Sequence, residues 1–114
     1  MTAFLQASTA AGSRDEAERI ARALVEQRLA ACVQIVGPVQ SIYRWQGAVE
    51  RVEEWLCLIK TSRAQYAALE SAIRDLHSYE CPEIIATPID AGSGPYLAWL
   101  AEQLSGDGPQ PSSP

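Results

Sequence analysis

Ala31-Cys32-Val33-Gln34-Ile35-Val36-Gly37-Pro38-Val39-Gln40-Ser41-Ile42-Tyr43-Arg44-Trp45-Gln46 is the stretch whose reading decides the fold. Residues 30–36 read as an apolar strand, Gly37-Pro38 interrupts it, and extended character resumes over residues 39–45. Gln46-Gly47-Ala48 supplies a turn, and residues 50–60 return as the next strand. Drawn straight, the run from Ala31 to Gln46 would reach roughly 50 Å at about 3.3 Å per residue. A small domain is nearer ~30 Å across. The strand pair therefore either bends sharply at Gly37-Pro38 or projects beyond its own core. A projecting hairpin would carry Ile42, Tyr43, Trp45, Val52 and Trp55 into water, and exposed apolar groups of that size mark a partner surface. The arithmetic predicts an oligomer.

The flanking segments complete the pattern. Residues 2–9 read as a first strand, and Ser13 with Glu16 forms a capping box ahead of Ala17, Ile20, Ala21, Leu24 and Val25 at helical spacing. This helix is predicted to run to about Leu29. Ser62-Arg63-Ala64-Gln65 opens a second helix, marked by Tyr66, Leu69, Ile73 and Leu76. Residues 83–89 read as a fourth strand, with Pro88 better placed at a sheet edge than in its centre. Pro95 suits the first position of a last helix striped by Leu97, Leu100 and Leu104. The order β-α-β-β-α-β-α predicts an α+β, ferredoxin-like sandwich, with two helices on one face of an antiparallel sheet. One domain is expected over residues 1–105. A disordered tail is expected over 106–114, where Gly, Pro and Ser crowd and no large apolar side chain occurs.

Composition narrows the function. At 114 residues, 47% hydrophobic and 20% charged, the chain has the balance of a folding domain and not of a coiled coil or a disordered segment. A net charge of -5 disfavours nucleic acid as a partner. No apolar run approaches the roughly 20 residues of a membrane helix. Met1-Thr2-Ala3-Phe4-Leu5-Gln6 is not a secretory leader, and the three cysteines form no close pair, so reduced thiols in the cytoplasm are expected. The sequence contains neither a nucleophile elbow nor a P-loop, and one histidine is present, so no enzyme is expected.

His77-Ser78-Tyr79-Glu80-Cys81-Pro82-Glu83 is the densest polar constellation. Its imidazole, thiol and carboxylates suit copper or zinc, with His77, Glu80 and Cys81 as candidate ligands. The alternative is that His77 caps a helix C-terminus and the two glutamates are ordinary surface carboxylates. Cys32 and Cys57 read as small buried hydrophobes. Glu50, Glu53 and Glu54 form an acidic run on the hairpin, read as a solvated face on which a cation could also sit. Tyr43 and Trp45 share one face of their strand and read as packing or subunit contacts.

Ala23-Leu24-Val25-Glu26-Gln27-Arg28-Leu29-Ala30-Ala31-Cys32-Val33 resembles the first-helix signature of the CutA divalent-cation-tolerance family. Ser41-x-Tyr43-x-Trp45-x-Gly47, Leu58-Ile59-Lys60-Thr61, the segment from His77 to Ile85 and Tyr96-Leu97-x-Trp99 resemble further motifs of that family, in order, from about residue 4 to 104. The resemblance implies a cytoplasmic homotrimer, similar in fold to the PII signalling proteins, whose long hairpins bring three sheets together edge to edge. It implies tolerance of copper and other divalent metals, with a divalent cation or small anionic ligand in inter-subunit clefts, and Tyr43, Trp45, Lys60, Tyr79 and Glu83 at such a cleft or on the hairpin. Ser78 stands where the family usually has proline, and Ala48 where lysine often follows the hairpin glycine. Of the copper ligands assigned in some members only His77 is present, since Thr9 and Leu76 occupy the other two positions. Two other readings stand beside this one. The first is a PII-like sensor using Lys60, Arg44 and Arg51 to hold an anionic metabolite. The second is a structural scaffold presenting its tail.

Overall fold

The computed structural model describes residues 3–105, so the predicted tail, residues 106–114, lies outside the described residues. Strand β1 (Phe4–Ala11) leads into helix α1 (Arg14–Glu26), and the Ser13 hydroxyl accepts the Glu16 N–H at 3.1 Å as the capping box predicts. The helix stops short of Leu29. Gln27 N–H still bonds Ala23 C=O, but Arg28 turns left-handed at φ 59, and Leu29 N–H reaches back to Leu24 C=O at 3.0 Å. This is a helix stop normally built on glycine. Here the arginine has a further use, because its Nη1 donates to Gln103 C=O at 2.8 Å.

Strands β2 (Cys32–Trp45) and β3 (Ala48–Ser62) form the long hairpin. Gln46 and Gly47, at φ 49 and 84, make a tight turn whose left-handed residues match the twist of the flanking strands. Helix α2 (Arg63–Leu76) starts on Ser62, whose Oγ accepts Gln65 N–H at 3.2 Å. Strand β4 (Ile85–Pro88) is shorter than predicted, and helix α3 (Gly94–Ser105) is capped by Ser93, which places Pro95 second and not first. The sheet order is β2-β3-β1-β4, with each adjacent pair antiparallel, which is the ferredoxin-like arrangement. Pro88 sits in an edge strand, as its missing N–H requires.

Alternation along the strands divides the sheet. Ala7, Ala11, Cys57 and Ile59 face α1 and α2, packing with Ile20, Leu24, Leu69 and Ile73 in the main core. Helix α3 packs at the Phe4 end of the sheet through Leu97, Leu100 and Leu104, and its last carbonyls accept from Arg28 and Gln65 side chains. The second face carries Val36, Leu56, Leu58 and Ile85, of which Val36 and Ile85 are exposed.

Gly37-Pro38, joined by a cis peptide bond, lies in a bulge: the pairing jumps from Val36↔Leu56 to Val39↔Glu54, so two residues oppose Trp55 alone. The bulge exchanges the faces of β2. Before it Gln34 and Val36 lie on the second face; after it Ser41, Tyr43 and Trp45 do. Glycine is required at position 37, because a Cβ there would lie 2.5 Å from the Trp55 ring. The ladder continues past the bulge to Trp45↔Ala48, and the molecule is 48 Å long but only 27 and 23 Å across. The hairpin projects.

Candidate functional site

The site begins where α2 ends. His77 closes the helix with its N–H on Ile73 C=O, and its extended backbone (ψ 141) turns its ring inward, with the side chain fully buried. Nε2–H donates to Ala10 C=O at 2.7 Å, and Nδ1 accepts Tyr79 N–H at 3.1 Å. Both ring nitrogens are therefore engaged within the chain. Glu16, from the first turn of α1, accepts from Ser78 N–H at 2.8 Å and Ser78 Oγ at 3.0 Å, with His77 Nδ1 3.7 Å away. Burial alone would push this carboxyl up. The two Ser78 hydrogen bonds, the His77 ring and the Gly12 N–H outweigh it and hold Glu16 below the usual carboxylate range.

This clamp fixes Tyr79. Its ring lies against His77, centroids 4.7 Å apart, and its hydroxyl donates to Glu54 Oε2 at 2.9 Å. Gly12 leaves room for the phenol, since a Cβ there would sit 3.1 Å from Tyr79 Oη. Burial and the neighbouring Glu54 carboxylate raise the phenol well above its ordinary value, so Tyr79 is a hydrogen-bond donor at neutral pH.

Above Tyr79 opens a cleft of about 730 Å³ between the hairpin and the segment after α2. The hairpin contributes Ser41, Ile42, Tyr43, Trp45 and Glu54; the opposite wall is Tyr79, Glu80, Cys81, Pro82 and Glu83, with Ala10 also at the lining. Six of the predicted positions thus meet in one cleft: Tyr43, Trp45, Tyr79, Glu80, Cys81 and Glu83. His77 lies behind Tyr79 and supports it. Lys60 is elsewhere, its Nζ donating to Gln34 Oε1 at 3.0 Å on the second sheet face. Among the described residues, no three of His, Cys, Asp and Glu are gathered as a metal centre.

Two placements differ from the sequence reading. Glu54 is not part of a solvated acidic face; it is 7% exposed and lines the cleft. The missed signal is its phase, since Glu54 falls on the same side of β3 as Leu56 and Leu58. Cys32 is half-buried on the second face, whereas Cys57 is in the main core, where burial and the Glu16 charge push its thiol up to about 11. All three cysteines are free, and Cys81 is exposed. Nothing local in the sequence announces the Glu16–Ser78 contact, which joins residues 62 positions apart.

Known proteins resemble the chain in sequence and in fold. The family model described as CutA1 divalent ion tolerance protein matches residues 5–103. The divalent-cation tolerance protein CutA of Thermus thermophilus is 50% identical over 90 residues, covering 79% of this chain and 87% of that one. Protein CutA of Mus musculus is 44% identical over 95 residues, and there the chain spans 54% of a longer protein. Among solved structures, CutA from Xylella fastidiosa superposes with a TM-score of 0.89 at 35% identity, over 91% of this chain and 100% of that one. CutA1 from Shewanella sp. SIB1 gives 0.88 at 43% identity, over 91% and 97%. The chain belongs to the CutA1 divalent ion tolerance family.

Proposed function

We propose that the chain is a non-catalytic metal-response protein that assembles as a homotrimer and holds a divalent cation, copper or zinc, in the cleft between the hairpin and residues 79–83. The observation that carries this reading is the cleft's chemistry: three carboxylates and a thiol line it, and no Lys, Arg or His does. Thiolate and carboxylate suit borderline and hard cations. One chain gathers only part of a coordination shell, so further ligands are to come from a neighbouring subunit or water. Glu80 and Cys81 are the proposed ligands at the rim. His77 joins them only by giving up its bond to Tyr79 N–H or to Ala10 C=O.

Assembly is supported by surfaces one chain leaves open. β2 is a 14-residue edge strand, a length of unpaired backbone that invites pairing with another chain. Val36, Ile42, Val49 and Ile85 are exposed on the hairpin and sheet. The reading as a PII-like sensor of an anionic metabolite has less support, because Lys60 is bonded to Gln34 and Arg51 to Gln40, both away from the cleft lining. The cytoplasm is the proposed location on the strength of three free thiols. A solved Archaeoglobus fulgidus relative is described as periplasmic, and cell fractionation decides between the two.

Light scattering of the purified protein should give about 37 kDa, three times the 12.4 kDa of one chain. Calorimetric titration of zinc into metal-free protein should show saturable binding that Cys81→Ser weakens at least tenfold. A monomer, or binding unchanged in Cys81→Ser and Glu80→Gln, contradicts the proposal.

A further inference from the structure

A second pocket lies away from the hairpin, at the C-terminal end of α1, where Val25, Glu26, Arg28, Ala30, Ala31 and Gln103 line about 200 Å³. It shares no residue with the cleft, nor with the exposed apolar positions Val36, Ile42, Val49 and Ile85 proposed for assembly. Its three polar side chains, Glu26, Arg28 and Gln103, each lack the partner their chemistry calls for. Gln103 Nε2 is buried and has no hydrogen-bond acceptor. Arg28 donates one N–H to Gln103 C=O, but among the described residues no carboxylate stands within ion-pair distance of its guanidinium. Glu26 likewise has no Lys, Arg or His within that distance, although Arg28 lines the same pocket.

A buried donor left without an acceptor is costly, and folded proteins ordinarily satisfy it. Gln103 and Arg28 bring donors to one space, the combination that holds a carboxylate. Glu26 would repel a bare anion there. It stands at the negative end of the α1 dipole, which favours a positive charge, and the last turn of α1 supplies no basic residue. The pocket therefore suits both charges carried by one molecule. Val25, Ala30 and Ala31 leave room for little hydrocarbon, and about 200 Å³ lies below the range of drug-sized ligands. Arg28 also holds its place at a conformational cost, because its left-handed backbone, at φ 59, is one that glycine adopts without strain. A water molecule would answer Gln103 and leave the two charges unpaired.

We propose that this pocket binds a small zwitterion of the α-amino acid class, its carboxylate on Arg28 and the Gln103 amide and its ammonium on Glu26. The site is separate from the cation cleft, so its failure would leave the metal reading untouched. Free L-alanine is the probe. Propionate and ethylamine are the same skeleton stripped of the ammonium and of the carboxylate. Proton–nitrogen NMR of the intact purified protein follows the Gln103 side-chain amide, which should shift saturably with L-alanine, and each half-molecule should bind at least tenfold more weakly. Glu26→Gln, at an exposed position, removes the partner of the ammonium and should weaken L-alanine at least tenfold. Arg28→Gly removes the guanidinium while suiting the left-handed turn and should do the same, with the Leu100 and Leu104 methyl signals reporting that α3 stays packed. No saturable shift, equal binding of propionate, L-alanine binding untouched by Glu26→Gln, or a crystal soaked in L-alanine that holds only water in the pocket overturns the proposal.

Discussion

Gly37→Ala tests how the hairpin presents the cleft. The new Cβ would meet Trp55 Cε3 at 2.5 Å and Cδ2 at 2.7 Å, with the Glu54 carbonyl oxygen at 3.2 Å. Carbon atoms rest about 3.5–4.0 Å apart, so the ring or the strand must move by roughly 1 Å. The indole has little freedom, because it packs against the main core and Arg14 lies over it, 5.8 Å from the ring centroid. Overpacking of this kind costs about 1–3 kcal/mol. With about 4–8 °C lost per kcal/mol in a domain of this size, the melting temperature should fall by roughly 5–20 °C. Guanidinium unfolding at one fixed protein concentration measures it, since assembly makes stability concentration-dependent. The double variant Gly37→Ala/Trp55→Leu should recover part of the loss, giving a coupling energy of opposite sign to the single effects. Gly47→Ala is the contrast: at φ 84 with no atom within 4 Å, it loses only about 1 kcal/mol from backbone conformation. A Gly37→Ala loss below about 0.5 kcal/mol would refute the steric account of the bulge.

Three further outcomes follow from the site. Glu16→Gln removes a buried acceptor of two Ser78 bonds and should lower stability by about 1.5–3 kcal/mol at pH 7. Because the folded-state carboxyl lies below its ordinary 4.5, that contribution is complete above pH 4.5 and is lost as pH falls through the lower folded value. The gap between wild type and variant in urea unfolding should therefore close in acid; a constant gap contradicts it. At pH 8 a disulfide reagent should label Cys81 readily and Cys57 only on unfolding, given the buried thiol pushed up to about 11; comparable rates contradict that placement. Gly12→Ala should crowd the Tyr79 hydroxyl, 3.1 Å from the new Cβ, and weaken zinc binding together with Tyr79→Phe, while Ser71→Ala, on an exposed face of α2, should not.

Local chemistry was plainly written in the chain. Ser13 and Ser62 announce helix starts because a side-chain oxygen three residues before an unpaired N–H needs no tertiary partner. Length alone shows that the strand pair must either bend or project, without saying which. The bulge was half legible. Gly37-Pro38 marked an interruption, but whether the strand bends or continues depends on the Trp55 ring that fills the space beside Gly37. That in turn settles which face Tyr43 and Trp45 present. Apolar periodicity continues through Leu29 and so carries α1 too far, while Arg28 adopts a left-handed turn usually left to glycine. The dense segment, residues 77–83, and the aromatic strand point to the candidate site. Glu54 is hidden among its acidic neighbours, because only its phase with Leu56 and Leu58 along β3 distinguishes it from Glu53. The family resemblance places Lys60 near an inter-subunit cleft or on the hairpin; within one chain it stands on β3 of the hairpin and bonds Gln34.

The central claim is that the cleft between the hairpin and residues 79–83 is where this protein holds its cation. Anomalous diffraction from crystals grown with zinc, collected on both sides of the zinc absorption edge, locates the ion without assuming its ligands. The account predicts a peak in the cleft within bonding distance of the Cys81 thiolate, with a Glu80 or Glu54 carboxylate beside it. A peak beside Lys60 and Gln34, away from the cleft, or zinc bound in solution with the cleft empty in the crystal, would contradict it.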